Sequence, residues 1–260
     1  MDKNRFVFLG TGGSLGVPII GCECAVCSST DPCNKRLRPS GVLFVENKTI
    51  VIDAGPDFRQ QFLRFGLTSL DALLLTHTHY DHIGGLDDLR IFYLLKRHRP
   101  ICVVSEETYR ELKFRYHYLF KRSASGDEEH AVHIDFKLLK GDFGVFDLFG
   151  IPLHYISYSQ AGMKVNGFRV GSFAYVSDIR DYSDEIFTHL KGVKTLVVSA
   201  LRAVPTEVHF SLDEAASFAK KVGAKQTFIT HITHDLEHRA TNASLPKEVQ
   251  LAYDGLEITF

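Results

Sequence analysis

Tryptophan is absent from this 260-residue chain, methionine occurs twice, and neither sign of charge dominates: 30 Lys and Arg face 31 Asp and Glu, a formal net charge of -1. That balance argues against a broad nucleic-acid footprint, which needs a basic surplus. No apolar run reaches the roughly 20 residues of a membrane helix, and the stretch after Met1-Asp2-Lys3-Asn4-Arg5 is too short for a secretion signal. These absences predict a cytoplasmic protein with no membrane partner. Cysteines are few and odd in number, five in all, with three close together, which fits metal binding in a reducing compartment better than a disulfide framework. No repeat, linker or low-complexity tract divides the chain. One domain over residues 1–260 is expected, and 45% hydrophobic residues suffice for a sizeable core.

Histidine is what the chain concentrates. Thr76-His77-Thr78-His79-Tyr80-Asp81-His82 follows the apolar run Leu70 to Leu75, read as a buried strand, and leads into Ile83-Gly84-Gly85. Side chains alternate along extended backbone, so His77 and His79 can share a face, while Asp81 and His82 follow after the turn that the two glycines permit. Imidazoles with one carboxylate suit Zn, Mn, Fe or Ni rather than Ca or Mg, and the arrangement suits two ions side by side. Upstream, Cys22, Cys24 and Cys27 need one further ligand for a tetrahedral zinc. Cys33 or a distant histidine could provide it.

The remaining pattern alternates strands and helices. Phe6 to Leu9 reads as a strand, and Gly10 to Gly16 as a loop that is no dinucleotide fingerprint, because it leads to cysteines and not into a helix. Gly41 to Phe44 and Lys48 to Ile52 form a hairpin about Asn47, and Asp53 follows, ahead of a helix over about Asp57 to Phe65 that it could cap. Leu86 to Leu95 and Glu106 to Leu119 have helical periodicity, and Ser123 to Glu129 is a polar loop. Lys96, Arg97, Arg99, Lys113, Arg115, Lys121 and Arg122 form a solvated face or an attraction for acidic substrates. Strands are expected over Ile134–Leu139, Gly144–Leu148, Ile151–Ile156, Gly167–Val170, Phe173–Val176, Leu196–Ser199 and Gln226–Thr230, then a terminal one after Gly255, with a helix over Leu212–Val222.

The His77, His79, Asp81, His82 spacing after a strand resembles the metallo-β-lactamase-fold hydrolases. With the cysteine triplet, the chain is similar to a phosphodiesterase subfamily typified by the cyclic phosphodiesterase of phosphonate breakdown. The resemblance implies a four-layer αββα sandwich and a dinuclear site of His77, His79, Asp81, His82, Asp178 and His231 holding two divalent metals, Zn or Mn. It implies a structural zinc on Cys22, Cys24, Cys27 and His234. Asp53 would support a ligating histidine from behind, Asp178 would bridge the metals, Asp81 would also orient the nucleophile, and His209 would be a general acid at near-neutral pKa, with Thr206 in place of an earlier histidine. For Asp178 a turn cap, and for His209 a loop-stabilising role, are the alternatives. One departure stands out: Ser157 falls where related sequences carry a third metal-binding histidine, and His154, read as packed or on the surface, is the only histidine nearby. A depleted first metal site is the expectation. The implied activity is hydrolysis of a small phosphodiester, cyclic ones included, by a chain able to form a homodimer. A thioester, lactone or RNA 3′-end hydrolase, or a non-hydrolytic metal or cofactor handler, are the alternatives.

Overall fold

Strict alternation sorts the apolar residues of the first strand, β1 (Arg5–Gly10), onto two faces that are both buried: Phe6 and Phe8 on one, Val7 and Leu9 on the other. A strand buried on both faces belongs to a sheet covered on both sides. The computed structural model describes residues 4–120 and 133–260, and within them it has that layering. Seven strands form the first sheet, in the order β14-β1-β2-β3-β4-β5-β6, with β2 (Ser40–Val45), β3 (Lys48–Ile52), β4 (Ala72–Leu74), β5 (Ile101–Ser105), β6 (Asp135–Leu139) and β14 (Glu257–Thr259). The second sheet runs β13-β12-β11-β10-β9-β8-β7, with β7 (Phe143–Leu148), β8 (Ile151–Gln160), β9 (Met163–Val170), β10 (Phe173–Val176), β11 (Thr195–Ser199), β12 (Gln226–Thr230) and β13 (Val249–Leu251).

Phe6, Phe8, Ile50, Ile52 and Leu74 meet Leu153, Phe168, Phe173, Tyr175 and Phe228 between the sheets. Helices α1 (Phe58–Arg64), α3 (Arg90–Lys96) and α4 (Glu106–Arg115) cover the outer face of the first sheet, with Phe58, Phe62, Phe92 and Leu112 against Leu73, Cys102 and Val104. The one-turn α2 (Tyr80–Ile83) lies in the histidine loop. On the second sheet, α5 (Ile186–His189) and α6 (Leu212–Val222) pack Ile186, Ala215 and Phe218 against Val176, Leu196 and Ile229, and α7 (His238–Ser244) follows. This is the expected αββα sandwich.

Three local differences matter. The helix expected over Leu86–Leu95 is a 3-10 turn, Leu86–Leu89, followed by α3, and that expected over Glu106–Leu119 ends at Arg115. The polar segment Ser123–Glu129, with Lys121 and Arg122, lies outside the described residues. Most consequential, β8 does not stop at Ile156 but continues to Gln160, because Ala161 and Gly162, both at positive φ (47° and 81°), make a two-residue turn that pairs Gln160 with Met163.

Candidate metal centres

The ends of β3, β4, β10 and β12 deliver Asp53, His77, Asp178 and His231 to one edge of the sandwich, and α2 adds Asp81 and His82. Asp53, Asp178 and His231 have left-handed backbone, with φ of 62°, 57° and 59°. Non-glycine residues rarely adopt it, and it turns each chain sharply out of its strand. The two loops of the first sheet touch: a Cβ on Gly55 would stand 2.0 Å from the Asp81 carbonyl oxygen. Only glycine permits that approach.

One ligand atom from each of His77, His82 and Asp178 lies within 4.8 Å of the others, as do those of Asp81, His82 and His231, and those of Asp178, His209 and His231. His82 Nε2 stands 3.4 Å from both Asp81 Oδ2 and Asp178 Oδ2. His231 Nε2 is 3.3 Å from Asp81 Oδ2 and 3.2 Å from Asp178 Oδ1. Behind these groups Asp53 is fully buried and is no helix cap: its Oδ1 accepts from the Thr76 amide (2.9 Å), and its Oδ2 from Thr76 Oγ1 (2.9 Å) and His82 Nδ1 (2.7 Å). Thr76 Oγ1 in turn lies 2.9 Å from His77 Nδ1. A single carboxylate thereby anchors two imidazoles by their Nδ1 atoms, directly and through a hydroxyl, leaving His82 Nε2 toward Asp81 and Asp178 and His77 Nε2 toward His79.

The electrostatics follow from burial and crowding. Burial opposes ionisation of Asp81, but His82 and His231 overcome it and hold the carboxyl well below its usual range. The same contest, won by His231, His82 and His77, keeps Asp178 low. Burial disfavours charge on His82 and His231, yet the surrounding carboxylates raise both, while His77 is pushed down by burial and by His82. Burial takes His209 down to about 4, away from the near-neutral value expected of it.

His79 is exposed, with Nδ1 3.0 Å from His77 Nε2, and lies outside the three groupings above. His209 is buried, with Nδ1 3.5 Å from Asp178 Oδ1. Thr206 shapes its turn, Oγ1 accepting from the His209 amide at 2.9 Å. Ser157 does not reach the cluster: its Oγ donates to Asn166 Oδ1 at 3.0 Å. Gln160 occupies that side instead, 1% exposed, with Nε2 3.3 Å from Asp178 Oδ1 and 3.1 Å from His209 Nδ1. This corrects the placement of the departure at Ser157. The two residues lie three apart on β8 and face opposite sides, and the alternation running past Ser157 into the Ala161-Gly162 turn was the signal for it. His154 is half-buried within β8, and His238 is half-buried against Arg36 and Tyr253. Of the basic residues, Arg115 reaches the histidine loop, donating to the Thr78 carbonyl at 2.8 Å.

At the second centre, Cys22, Cys24 and Cys27 place their Sγ atoms 3.2, 3.4 and 3.5 Å from His234 Nδ1. Those separations are close to the ligand-to-ligand edges of a tetrahedral zinc site. Cys33 stands apart from it, its amide donating to Asp31 Oδ1. The Cys27 amide points at Cys24 Sγ (3.4 Å) and, before burial and the neighbouring thiols are counted, is the main reason the Cys24 thiol is lowered to about 6. A thiol so easily ionised suits a metal.

The β-lactamase superfamily domain matches residues 48–232. The chain belongs to this superfamily, as a metallo-β-lactamase-fold hydrolase. Within the superfamily, it is similar over its whole length to a crystal structure described as a new diphosphatase from the PhnP family, with TM-score 0.91, 38% identity and 98% of that chain covered. It shares the fold of Zn(2+)-bound PqqB from Methylobacterium extorquens, with TM-score 0.77 at 16% identity, covering 98% of this chain and all of that one. Among curated proteins, an octanoyltransferase of Porphyromonas gingivalis is 34% identical over 259 residues, 97% of this chain but 51% of that protein. The chain thus spans about half of that relative's length. This superfamily's hydrolases use divalent metal, and the residues here fit it: His82 Nε2 and Gln160 Oε1 are buried without hydrogen-bond partners, a cost a cluster would not carry for packing alone.

Proposed function

We propose that the chain is a metal-dependent phosphohydrolase that cleaves a P–O bond in a small phosphodiester, cyclic esters and diphosphate diesters included. The observation that carries this reading is the convergence of Asp81, Asp178, His82 and His231 on one buried volume with His82 Nε2 unpartnered. The similarity to a PhnP-family diphosphatase supports the phosphate chemistry.

His77, His82, Asp81, Asp178 and His231 would hold the cations, with His79 at the exposed rim, and Cys22, Cys24, Cys27 and His234 would hold a structural zinc. Divalent cations supply Lewis acidity toward a phosphoryl oxygen and make water acidic enough to attack at neutral pH. Asp81, low in pKa and buried, would orient an attacking water by accepting a hydrogen bond from it. His209 stands beside Asp178; held down to about 4, its ring carries the extra proton in only a small fraction of molecules at neutral pH, and that fraction would pass it to a leaving oxygen. Arg115 stiffens the loop that carries His77 and His79 through its bond to the Thr78 carbonyl.

A panel of bis(p-nitrophenyl) phosphate, a five-membered cyclic ribose phosphate and a nucleoside diphosphate diester tests the reading. Turnover of at least one of the three, lost on Asp178→Ala, is expected, and a metal-loaded protein inert to all three overturns it. His209→Asn should slow an alkoxide leaving group by about 10²-fold or more and p-nitrophenolate far less, because the latter needs no proton. The octanoyltransferase relative favours a second reading, hydrolysis of a medium-chain acyl thioester. Octanoyl thioester in the same panel separates the two.

A further inference from the structure

We infer that Gln160 is itself a metal ligand, through its side-chain amide oxygen, and that it makes one of the two cation positions at the histidine–aspartate cluster weaker for zinc and more accepting of manganese. The inference rests on the proposed reading that this cluster holds two cations, and it concerns which ligand completes the set.

Gln160 ends β8, its backbone clamped against Met163 beside a two-residue turn, so its side chain is delivered to a fixed place. The residue is 1% exposed. Its Nε2 lies 3.3 Å from Asp178 Oδ1 and 3.1 and 3.2 Å from the two ring nitrogens of His209. Its Oε1 is buried and has no hydrogen-bond partner. A buried amide oxygen left unpaired is costly, and an aliphatic side chain would fill the same volume without that cost. Hydrogen bonding within the chain therefore serves only the end of the amide that lies beside Asp178 and His209.

The amide has two chemically opposite ends of nearly the same shape. Beside the bare Asp178 carboxylate, the NH2 end is the one that fits, since two oxygens at 3.3 Å repel. With a cation between amide and carboxylate the preference reverses, and a half-turn about Cγ–Cδ presents the oxygen while leaving the amide's outline unchanged. Ser157 does not compete for this place: it is turned away and spends its hydroxyl on Asn166.

A neutral amide oxygen is a harder and weaker donor than imidazole. Thiolate and imidazole sets select zinc, whereas carboxylate and carbonyl oxygens suit manganese and magnesium. The position that Gln160 completes with Asp178 is thus the weaker one for zinc, and that completed by Asp81, His82 and His231 is the tighter.

Folded, metal-loaded protein equilibrated against graded chelator, with zinc or manganese counted per chain by elemental analysis, tests this in the parent, Gln160→His and Gln160→Leu. In the parent, the cluster should lose its two zinc ions in steps separated by at least tenfold in chelator. Gln160→His should shift the earlier step tenfold or more toward retention of zinc, with a smaller shift for manganese. Gln160→Leu should advance that step tenfold or more for both metals. Curves for Gln160→His and Gln160→Leu that superimpose on the parent's overturn the inference. If Gln160→Leu does not fold, Gln160→His decides alone, and unchanged zinc retention overturns the inference. None of these readouts uses a substrate: metal steps as expected with every phosphate substrate untouched would sink the proposed function and leave Gln160 a ligand.

Discussion

The two candidate metal centres are built in opposite ways. Cys22, Cys24 and Cys27 lie within six residues on a loop with only a small apolar cluster of its own, around Val17 and Val26, and a single distant residue, His234, closes the set. No residue of that quartet has left-handed backbone. The histidine–aspartate cluster draws on strand ends of both sheets, and Asp53, Asp178 and His231 are all held at positive φ. A loop that a metal organises needs no strain, because the metal supplies the order. A site set before the metal arrives needs a frame that over-determines its backbone, and two seven-stranded sheets provide it. The cysteine centre should therefore matter to stability, the histidine–aspartate cluster to chemistry.

The largest effect that would break this comparison is at Asp178. Asp178→Ala removes the carboxylate that faces His82, His209 and His231. Loss of metal from the cluster and a fall of about 10²–10³-fold or more in phosphodiester turnover are expected, and retained turnover refutes the site. Next in size, Cys24→Ser should lose one zinc per chain and lower the Tm by about 5 °C or more, with the metal of the other cluster retained. That shift corresponds to ~2 kcal/mol for a chain of this size. An unchanged Tm with the zinc gone would mean the loop is ordered without it. Asp53→Asn sharpens the contrast further. Asp53 accepts from three donors, the Thr76 amide, the Thr76 hydroxyl and His82 Nδ1, and asparagine has one oxygen to offer them. Metal affinity at the cluster should fall about 10–100-fold, read by chelator competition, while the cysteine centre keeps its zinc.

The same contrast explains what was legible in the sequence. Cys22, Cys24, Cys27 and the run from His77 to His82 are local spacings, so periodicity and ligand chemistry expose them directly. The layers were legible because both-face burial leaves near-continuous apolar strands such as Leu73-Leu74-Leu75 and Val197-Val198. Asp53 was ambiguous, since an Asp before a helix reads equally as a cap; only the fold shows Asp57 at that cap position and Asp53 bonded to His82. Gln160 was missed because the alternation of buried Ile156 and Tyr158 with Ser157 and Ser159 ends on a polar residue, and strand pairing with β9, not composition, shows that the strand reaches it. The depression of His209 was invisible for another reason: it comes from burial and from His231, neither of which is a neighbour in sequence.

The smallest expected effect tests whether the frame can be weakened without touching either centre. Helix α6 begins with a capping box, in which Ser211 Oγ accepts from the Glu214 amide at 3.3 Å and Glu214 Oε2 accepts from the Ser211 amide at 2.8 Å. Ser211→Ala removes one half of that exchange, costing about 1 kcal/mol, or about 2–4 °C in Tm. Metal content should stay at the parent value in both clusters, because Asp178 and His231 are held by β10 and β12 and not by this helix. A drop in metal count from so small a loss of stability would show that the strained strand ends are not over-determined, and that the cation orders the cluster much as zinc orders the cysteine loop.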